Sequence, residues 1–305
     1  MPPPLAIVAT YNDVDIFPQI LLGLLQDGID VAVIDNWSVD GTYEAVREVA
    51  SDLRGAVTVE RWPESGPDEY FEWRKILERK EEIAARSPGR WIIHQDSDEI
   101  HASPWPGVSF HEGLRRVAAE AFSAVDFGCV DFRPIDDTFR SGLDPEDHFR
   151  FFERDLLHPP HIRAWLQPAA RVDLAASGGH QAVFSGRRVY PQKFLIKHYS
   201  LRNAEQARRK IAERSRRFHP DERAVGWHVQ YDDFRQDRSF VWGKEQLLEW
   251  GRDAAIVSND GDSARRRGVR RSWARFARAL KRIPACLAIA VPRKSRRDQC
   301  PPPVE

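Results

Sequence analysis

Residues 5–10 read LAIVAT, residues 31–35 read VAVID, and residues 91–96 read WIIHQD. Each stretch contains a short apolar run that is followed by polar residues, which is typical of a β-strand buried on both faces of a sheet. The predicted strands are Leu5–Thr10, Val31–Ile34 and Trp91–His94. Between them lie one further predicted strand, Ala56–Glu60, and three segments with helical periodicity, Ile16–Leu25, Tyr43–Leu53 and Tyr70–Arg86. This alternation predicts an α/β fold with a mostly parallel sheet flanked by helices.

Polar clusters follow three of the predicted strands. They read TYND at residues 10–13, DNWSVDGT at residues 35–42 and QDSDE at residues 95–99. The carboxyl ends of parallel strands meet at one edge of the sheet, and ligands of such sheets bind beyond that edge. The sequence therefore predicts a ligand site built from these three clusters.

The pattern is less regular after Glu99. The sequence predicts a helix over His111–Phe122, a strand over Cys129–Phe132, a hairpin around Ala182–Tyr190, and helices over Asn203–Phe218 and Phe240–Asp253. We divide the chain into an α/β domain at residues 1–235 and a helical, basic C-terminal extension at residues 236–305.

The composition is that of an ordinary globular protein, with 305 residues of which 42% are hydrophobic and 30% charged. Ten Trp and sixteen Phe exclude disorder as the main state, because they supply ample core material. The three cysteines form no C-x-x-C pair, which favours a reducing compartment. No signal sequence and no apolar run of about 18 residues is found, so we expect a cytoplasmic protein.

The charge is unevenly distributed although the total is zero. Residues 264–305 contain thirteen Lys or Arg and two acidic residues, whereas residues 1–263 contain 33 basic and 44 acidic residues. Trp273 and Phe276 recur at helical spacing among these arginines, which suits an interfacial helix on an anionic membrane surface. A helix whose arginines pack against the acidic domain explains the pattern equally well. We do not expect nucleic acid binding, because aromatic stacking platforms are absent from the tail.

The cluster Asp96-Ser97-Asp98-Glu99 carries the clearest chemical signal. Two carboxylates at positions i and i+2 after a buried strand can converge on a hard divalent cation such as Mg²⁺ or Mn²⁺, which often shares its ligands with substrate phosphates. Most D-x-D triplets are acidic surface turns, and that alternative stays open here. The position directly after a buried strand favours a cation, because burying several carboxylates without one is costly.

These motifs resemble those of glycosyltransferase family 2. The similar elements are the run Leu5–Asn12, the D-x-x-S-x-D-G-T turn at residues 35–42 and the Q-D-S-D-E cluster at residues 95–99. Later elements resemble bacterial members of the group, namely the arginine–aromatic segment Phe149–Arg154, Gly178-Gly179-His180 and Lys197-His198-Tyr199. The resemblance covers residues 5–218 and implies the Rossmann-like GT-A fold and transfer of a sugar from a nucleoside-diphosphate sugar.

The resemblance also implies roles for individual residues. Nucleotide-sugar binding would involve Thr10, Tyr11, Asn12, Asp35, Lys75 and Asp96. The ligands of a divalent metal (Mn²⁺ or Mg²⁺) would be Asp96 and Asp98, completed by His198 as first choice or His180 as second. Arg74, Lys75 and Arg202 are candidates for stabilising the diphosphate, with a solvated helix charge as the alternative for each.

An inverting enzyme needs a carboxylate that takes the proton of the acceptor hydroxyl. The Glu-Asp pair common in the family has no clear equivalent here, so Asp147 and Asp137 are the candidates for the catalytic base, and inversion versus retention stays open. The acceptor class implied is a saccharide or a lipid-linked acceptor in cell-surface glycan assembly, with the enzyme cytoplasmic or peripheral at the inner face of the membrane.

Three other functions are alternatives to this one. A metal-dependent phosphoesterase or nucleotidyltransferase would require more converging His and Asp residues for two metal ions. A nicotinamide-dependent oxidoreductase is disfavoured, because no G-x-G-x-x-G follows the first strand. A catalytically inactive nucleotide-sugar-binding module stays open, because the base has no clear position.

Overall fold

The computed structural model describes residues 1–53, 55–153, 160–224 and 239–251. Its strands are β1 Leu5–Thr10, β2 Asp30–Asp35, β3 Val57–Arg61, β4 Trp91–Asp96, β5 Glu99–Ala102, β6 Ala124–Asp131, β7 Phe151–Phe152, β8 His161–Leu166, β9 Phe194–His198 and β10 Leu248–Glu249. Its helices are α1 Phe17–Gln26, α2 Thr42–Asp52, α3 Trp73–Ala85, α4 Phe110–Ala119, α5 Pro145–His148, α6 Ala204–Arg217 and α7 Pro220–Ala224.

Within the described residues, eight strands form one sheet in the order β3-β2-β1-β4-β8-β6-β9-β5. Strands β3, β2, β1 and β4 are parallel to one another, and so are β6 and β9. Strand β8 runs antiparallel to both β4 and β6, and β5 runs antiparallel to β9. The predicted α/β class, with a mostly parallel sheet flanked by helices, is therefore confirmed and is consistent with a Rossmann-like GT-A fold.

Alternate residues of β1 enter two separate cores, one on each face of the sheet. Ala6 and Val8 pack in the core that contains α1 and α4, whereas Leu5 and Ile7 pack in the core that contains Leu77 of α3. This arrangement explains why the strand is apolar throughout instead of alternating. Each large aliphatic side chain buried in this way contributes about 1.5–3 kcal/mol.

The ends of the helices follow local signals in the sequence. Gly28 after α1 has a φ of +71°, the left-handed conformation that commonly ends a helix. Ser109 caps α4, because its hydroxyl accepts a hydrogen bond of 3.2 Å from the Glu112 amide.

The predicted helix over Phe240–Asp253 is wrong for residues 240–251. A 3₁₀ turn at Lys244–Gln246 leads there into β10, which pairs antiparallel with β7. Trp250 donates a backbone hydrogen bond of 2.7 Å to the Arg150 carbonyl, and its ring packs 5.9 Å from that of Phe152. Tertiary pairing with β7 has overridden the helical spacing of these residues.

Other differences lie in the second half of the sheet. The predicted hairpin around Ala182–Tyr190 has only isolated bridges, from Val183 to Asp173 and from Val189 to Ala124. Strand β6 begins at Ala124, five residues before the predicted start, and β5 and β8 were not predicted. Residues 252–305 of the predicted helical extension at residues 236–305 lie outside the described residues, so their helical character stays a prediction. In the described residues, no helix combines the length and apolar character needed to cross a bilayer.

Candidate functional site

The three polar clusters meet at one edge of the sheet, as predicted. Thr10 at the end of β1 is in register with Asp35 at the end of β2. On the other side of β1, Ala9 is in register with Asp96 at the end of β4. The site is therefore built by the parallel pairing of β2, β1 and β4, and its position follows from the fold.

Hydrogen bonds tie the first cluster to the second. The backbone amide of Asn12 donates to Ser38 Oγ at 3.0 Å, and Asn12 Oδ1 accepts from the Val39 amide at 2.9 Å. The amide of Asp13 donates to Thr42 Oγ1 at 3.0 Å. Asn12 has a φ of +55°, which Asn tolerates better than most residues. Ser38 and Thr42 therefore hold the two loops together and do not act only at the start of α2.

A cleft of about 530 Å³ opens beside these loops. Aromatic rings and guanidinium groups line it together. The Arg217 guanidinium lies 4.5 Å from the centre of the Tyr11 ring and donates a hydrogen bond of 3.0 Å to Asn36 Oδ1. The Arg61 guanidinium lies 5.1 Å from the centre of the Trp37 ring. Flat rings beside fixed positive charges suit a ligand with a planar base and anionic groups.

Asp35 is fully buried, with 0% of its surface exposed. Its Oδ2 accepts a hydrogen bond of 3.0 Å from the Ser38 amide and lies 3.6 Å from Arg61 Nε. In the described part of the chain, neither Asp35 Oδ1 nor Arg61 Nε has a hydrogen-bond partner. Burial raises the pKa of Asp35, and the hydrogen bonds from Ser38, which lower it, offset only part of this effect. A buried carboxylate oxygen without a partner costs free energy that a ligand donor would recover.

Asp98, the second carboxylate of the D-x-D triplet, is buried among positive charges. Its Oδ2 accepts a hydrogen bond of 2.6 Å from Lys210 Nζ and lies 3.9 Å from Arg202 Nη1. Its Oδ1 lies 3.6 Å from His198 Nε2. Burial raises the pKa of Asp98, but Lys210, His198 and Arg202 outweigh burial and hold it well below its usual range.

Arg202 has 0% of its surface exposed, so it is neither a solvated helix charge nor free to approach a diphosphate. It donates to Asp13 Oδ1 at 2.8 Å and to both carboxylate oxygens of Asp15 at 2.7 and 2.8 Å. Ser97 Oγ donates to the other oxygen of Asp13 at 2.6 Å. Arg202 therefore fixes the D-x-D turn against the segment that precedes α1.

Asp96 differs from Asp98 in exposure and in partners. Its side chain is 29% exposed, and its Oδ2 lies 3.5 Å from Arg163 Nη1. Arg163 forms a closer pair with buried Glu99, at 2.6 Å to Oε1. Because Glu99 neutralises Arg163, the carboxylate of Asp96 can still bind a cation or accept hydrogen bonds from the solvent side.

The imidazole of His198 lies between two carboxylates. Its Nδ1 is 2.7 Å from Asp131 Oδ1, and its Nε2 faces Asp98. Burial lowers the pKa of His198, but Asp98 and Asp131 raise it well above its ordinary value. His180, the second-choice metal ligand, is on the surface with its ring 5.0 Å from that of His161. The structure therefore brings His198, but not His180, into contact with Asp98.

The remaining predicted residues lie outside this ion-paired cluster. Lys75 is 51% exposed and pairs with Glu72 at 2.6 Å and with Asp68 of the cleft at 3.9 Å. Asp137 is exposed and accepts a hydrogen bond of 2.6 Å from the Ala204 amide at the start of α6. Asp147 is exposed within α5.

Sequence reasoning missed two buried lysines that support the site. Lys80 Nζ lies 2.9 Å from His94 Nδ1 and donates to the Gln95 carbonyl at 2.9 Å, and burial lowers its pKa to about 8. Lys210 is the partner of Asp98. Both lysines sit in the buried stripe of their helices, together with Ile76, Leu77 and Ala84 in α3 and with Gln206 and Ala207 in α6. A lysine at a core position of a helix was the available signal.

The donor atoms of Asp98 and His198 fit a shared divalent cation. Two ligands bonded to one ion at about 2.1 Å lie about 3 Å apart, so the observed 3.6 Å between Asp98 Oδ1 and His198 Nε2 needs only a small contraction. Asp131 receives Nδ1–H and so orients the ring, an arrangement that recurs among metal-binding histidines.

No protein-family model and no curated protein sequence matches the chain. Among solved structures, TarS 1-349 of S. aureus is 16% identical over 69% of this chain and 65% of that chain, with a TM-score of 0.37. The mannosyltransferase PcManGT of Pyrobaculum calidifontis, in complex with GDP-Man and Mn²⁺, is 14% identical over 91% and 79%, with a TM-score of 0.37. The chain spans 65% of TarS 1-349 and 39% of the longer TarS structure.

Proposed function

We propose that this protein is a metal-dependent glycosyltransferase of family 2 that transfers a sugar from a nucleoside-diphosphate sugar. One observation carries the proposal. A cleft lined by rings and guanidinium groups, with the buried acceptor Asp35 beside it, shares a sheet edge with the Asp98–His198 pair. A nucleotide sugar requires both features, a pocket for its base and ribose and a cation for its diphosphate.

The base and ribose would bind at the ends of β1 and β2. Asp35 Oδ1 and Thr10 Oγ1 are buried atoms without hydrogen-bond partners in the described residues. A bound base or ribose would supply the missing partners. Tyr11 offers a flat surface in the cleft, and Asn12 fixes the loop that carries it. Recognition of the base by a carboxylate acceptor favours a base with an N–H donor, such as uracil or guanine.

The metal would be held by Asp96, Asp98 and His198, with His180 the alternative histidine. When bound, the ion neutralises negative charge that grows on the leaving diphosphate. Lys210 remains on Asp98 Oδ2 and leaves Oδ1 to face His198. Lys75 would add positive charge at the outer end of the cleft through its position beside Asp68.

Asp137 or Asp147 would take the proton of the acceptor hydroxyl in an inverting, hexosyltransferase-like reaction. The acceptor would be a saccharide or a lipid-linked acceptor in cell-surface glycan assembly, with residues 264–305 binding an anionic membrane surface at its cytoplasmic face. A catalytically inactive nucleotide-sugar-binding module would bind the same donor but would not turn it over.

The experiment is a thermal-shift panel of nucleoside diphosphates and their sugars with and without Mn²⁺, followed by an assay of nucleotide release from any sugar that binds. We expect a shift with UDP or GDP that requires Mn²⁺ and disappears in Asp98→Asn. The exposed carboxylate of Asp52 gives the matched control, because Asp52→Asn should keep the shift. Absence of a shift with every nucleotide would overturn the proposal, and binding without release would identify the inactive module.

A further inference from the structure

Three side chains of different chemistry meet on one face of the sheet beside the proposed catalytic cation. Cys129 and Asp131 lie two residues apart on β6, so they share a face of that strand. His198 on the parallel strand β9 is in register with Asp131. One ligand atom from each residue lies within 4.8 Å of the other two. The backbone pairing of β6 and β9 therefore holds the three groups together.

These three groups suit a different cation from the one proposed at Asp98. Mn²⁺ and Mg²⁺ prefer oxygen ligands, whereas a thiolate, an imidazole and a carboxylate together are typical zinc ligands. Zinc ligands bonded at about 2.0–2.3 Å lie within about 4 Å of one another, so the cluster needs to contract by less than about 1 Å. The side chains of Asp131 and His198 are 22% and 28% exposed, so an ion can reach them from solvent.

We propose that Cys129, Asp131 and His198 form a site for a thiophilic divalent cation such as Zn²⁺, and that filling this site prevents Mn²⁺ from binding between Asp98 and His198. The zinc site itself is inferred only from the positions of Cys129, Asp131 and His198. The second part rests on the proposed function, because it takes the Asp98–His198 pair as the place of the catalytic cation.

The two positions exclude each other because they share one imidazole ring. The Nδ1 atom of His198 faces Asp131, and its Nε2 atom faces Asp98. A zinc ion on Nδ1 of a neutral ring leaves the proton on Nε2, and an N–H group cannot ligate a second cation. A manganese ion on Nε2 leaves the proton on Nδ1, where it is donated to Asp131. A neutral imidazole ring can therefore bind one ion at a time.

The first test measures thiolate ligation without any nucleotide. In a Cys286→Ser/Cys300→Ser background, Cys129 is the last of the three cysteines. Titration with Cd²⁺ should produce a thiolate charge-transfer band that saturates at one ion per chain. Cys129→Ser should abolish the band, and Asp131→Asn should weaken Cd²⁺ binding about 10-fold or more, whereas Asp52→Asn should leave it unchanged. No band in the Cys129-containing background, in protein whose circular dichroism shows that it is folded, would overturn the site.

The second test measures the exclusion directly from the electron paramagnetic resonance signal of free Mn²⁺. Zn²⁺ should release bound Mn²⁺ from the Cys129-containing background at about one equivalent, and Cys129→Ser should keep its Mn²⁺ at the same Zn²⁺ concentration. Equal release from both proteins, or no Mn²⁺ binding to the background, would overturn the exclusion. The Cd²⁺ band requires neither Mn²⁺ nor nucleotide, so the zinc site and the glycosyltransferase proposal can fail separately.

Discussion

The cleft beside β2 and the ion-paired cluster beside β4 lie at the same edge of the sheet but differ in how their buried carboxylates are paired. In the cleft region, Asp35 Oδ1, Thr10 Oγ1 and Arg61 Nε are buried and have no hydrogen-bond partner in the described residues. In the cluster, Asp13 and Asp98 are both neutralised by buried cations. The difference indicates that the cleft keeps binding capacity for a ligand. Most charges of the cluster hold the D-x-D turn in place, and Asp98 Oδ1, which faces His198, is left for a cation.

The largest effect should come from removing the central cation of the cluster. Arg202→Met leaves Asp13 without its buried partner and weakens the field at Asp98, so we expect the free energy of unfolding in urea to fall by about 3–5 kcal/mol. Arg115→Met removes an exposed arginine, 64% exposed and paired with Glu112, and should cost less than about 1 kcal/mol. Equal losses in the two variants would contradict a structural role for the cluster.

A substitution in the cleft should change binding instead of stability. Asp35→Asn removes the acceptor offered to the base and should weaken nucleoside-diphosphate binding about 10-fold, as measured by calorimetry. Burial raises the pKa of Asp35 in the folded state, so its ionised form opposes folding at pH values above its ordinary pKa. The unfolding free energy of Asp35→Asn at pH 7 should therefore equal or exceed that of the wild type. A stability loss like that of Arg202→Met would erase the contrast between the two regions.

The buried Lys80 should give the stability a recognisable pH dependence. Burial lowers its pKa from 10.5 to about 8, so between these values the unfolded chain binds more protons than the folded protein. The unfolding free energy of the wild type, measured relative to Lys80→Met, should rise between pH 8 and pH 10.5 and stay level below pH 8. The same pH dependence of the unfolding free energy in the two proteins would show that burial does not lower the pKa of Lys80.

The smallest effect should come from Lys75. Its side chain is half-exposed and its ion pairs lie in solvent, so Lys75→Ala should change the unfolding free energy by less than about 0.5 kcal/mol. Nucleotide affinity should fall about threefold at low salt and less at high salt, because the charge acts through solvent. An unchanged affinity at low salt would remove Lys75 from the proposed nucleotide site.

Strands β1, β2 and β4 could be predicted because each is buried on both faces and is therefore largely apolar. Strand β1 has the predicted bounds, and β2 and β4 differ from theirs by one or two residues. Strand β8 could not be predicted in the same way. Its sequence, HIRAWL, carries Arg163 at a buried position, and only the neighbouring Glu99 and Asp96 make that charge acceptable.

The candidate site also has one part that could be predicted from the sequence and one part that could not. The positions of Asp35, Asp96 and Asp98 follow from the strand ends, so the sequence alone locates them at one edge. Their partners come from distant segments: Arg202 and Lys210 lie more than one hundred residues beyond Asp98. Local periodicity carries no information on such pairs, because they form only when α6 packs against the D-x-D turn.

If one sheet edge binds a nucleoside diphosphate and a cation together, the two binding affinities must be thermodynamically coupled. Mn²⁺ binding to the wild type should be measured by calorimetry with and without saturating UDP or GDP. We expect the nucleotide to tighten Mn²⁺ binding about 10-fold or more and Mn²⁺ to tighten nucleotide binding by the same factor, with both effects lost in Asp98→Asn. Mn²⁺ affinity that is independent of both nucleotides, or coupling that survives in Asp98→Asn, would contradict the account.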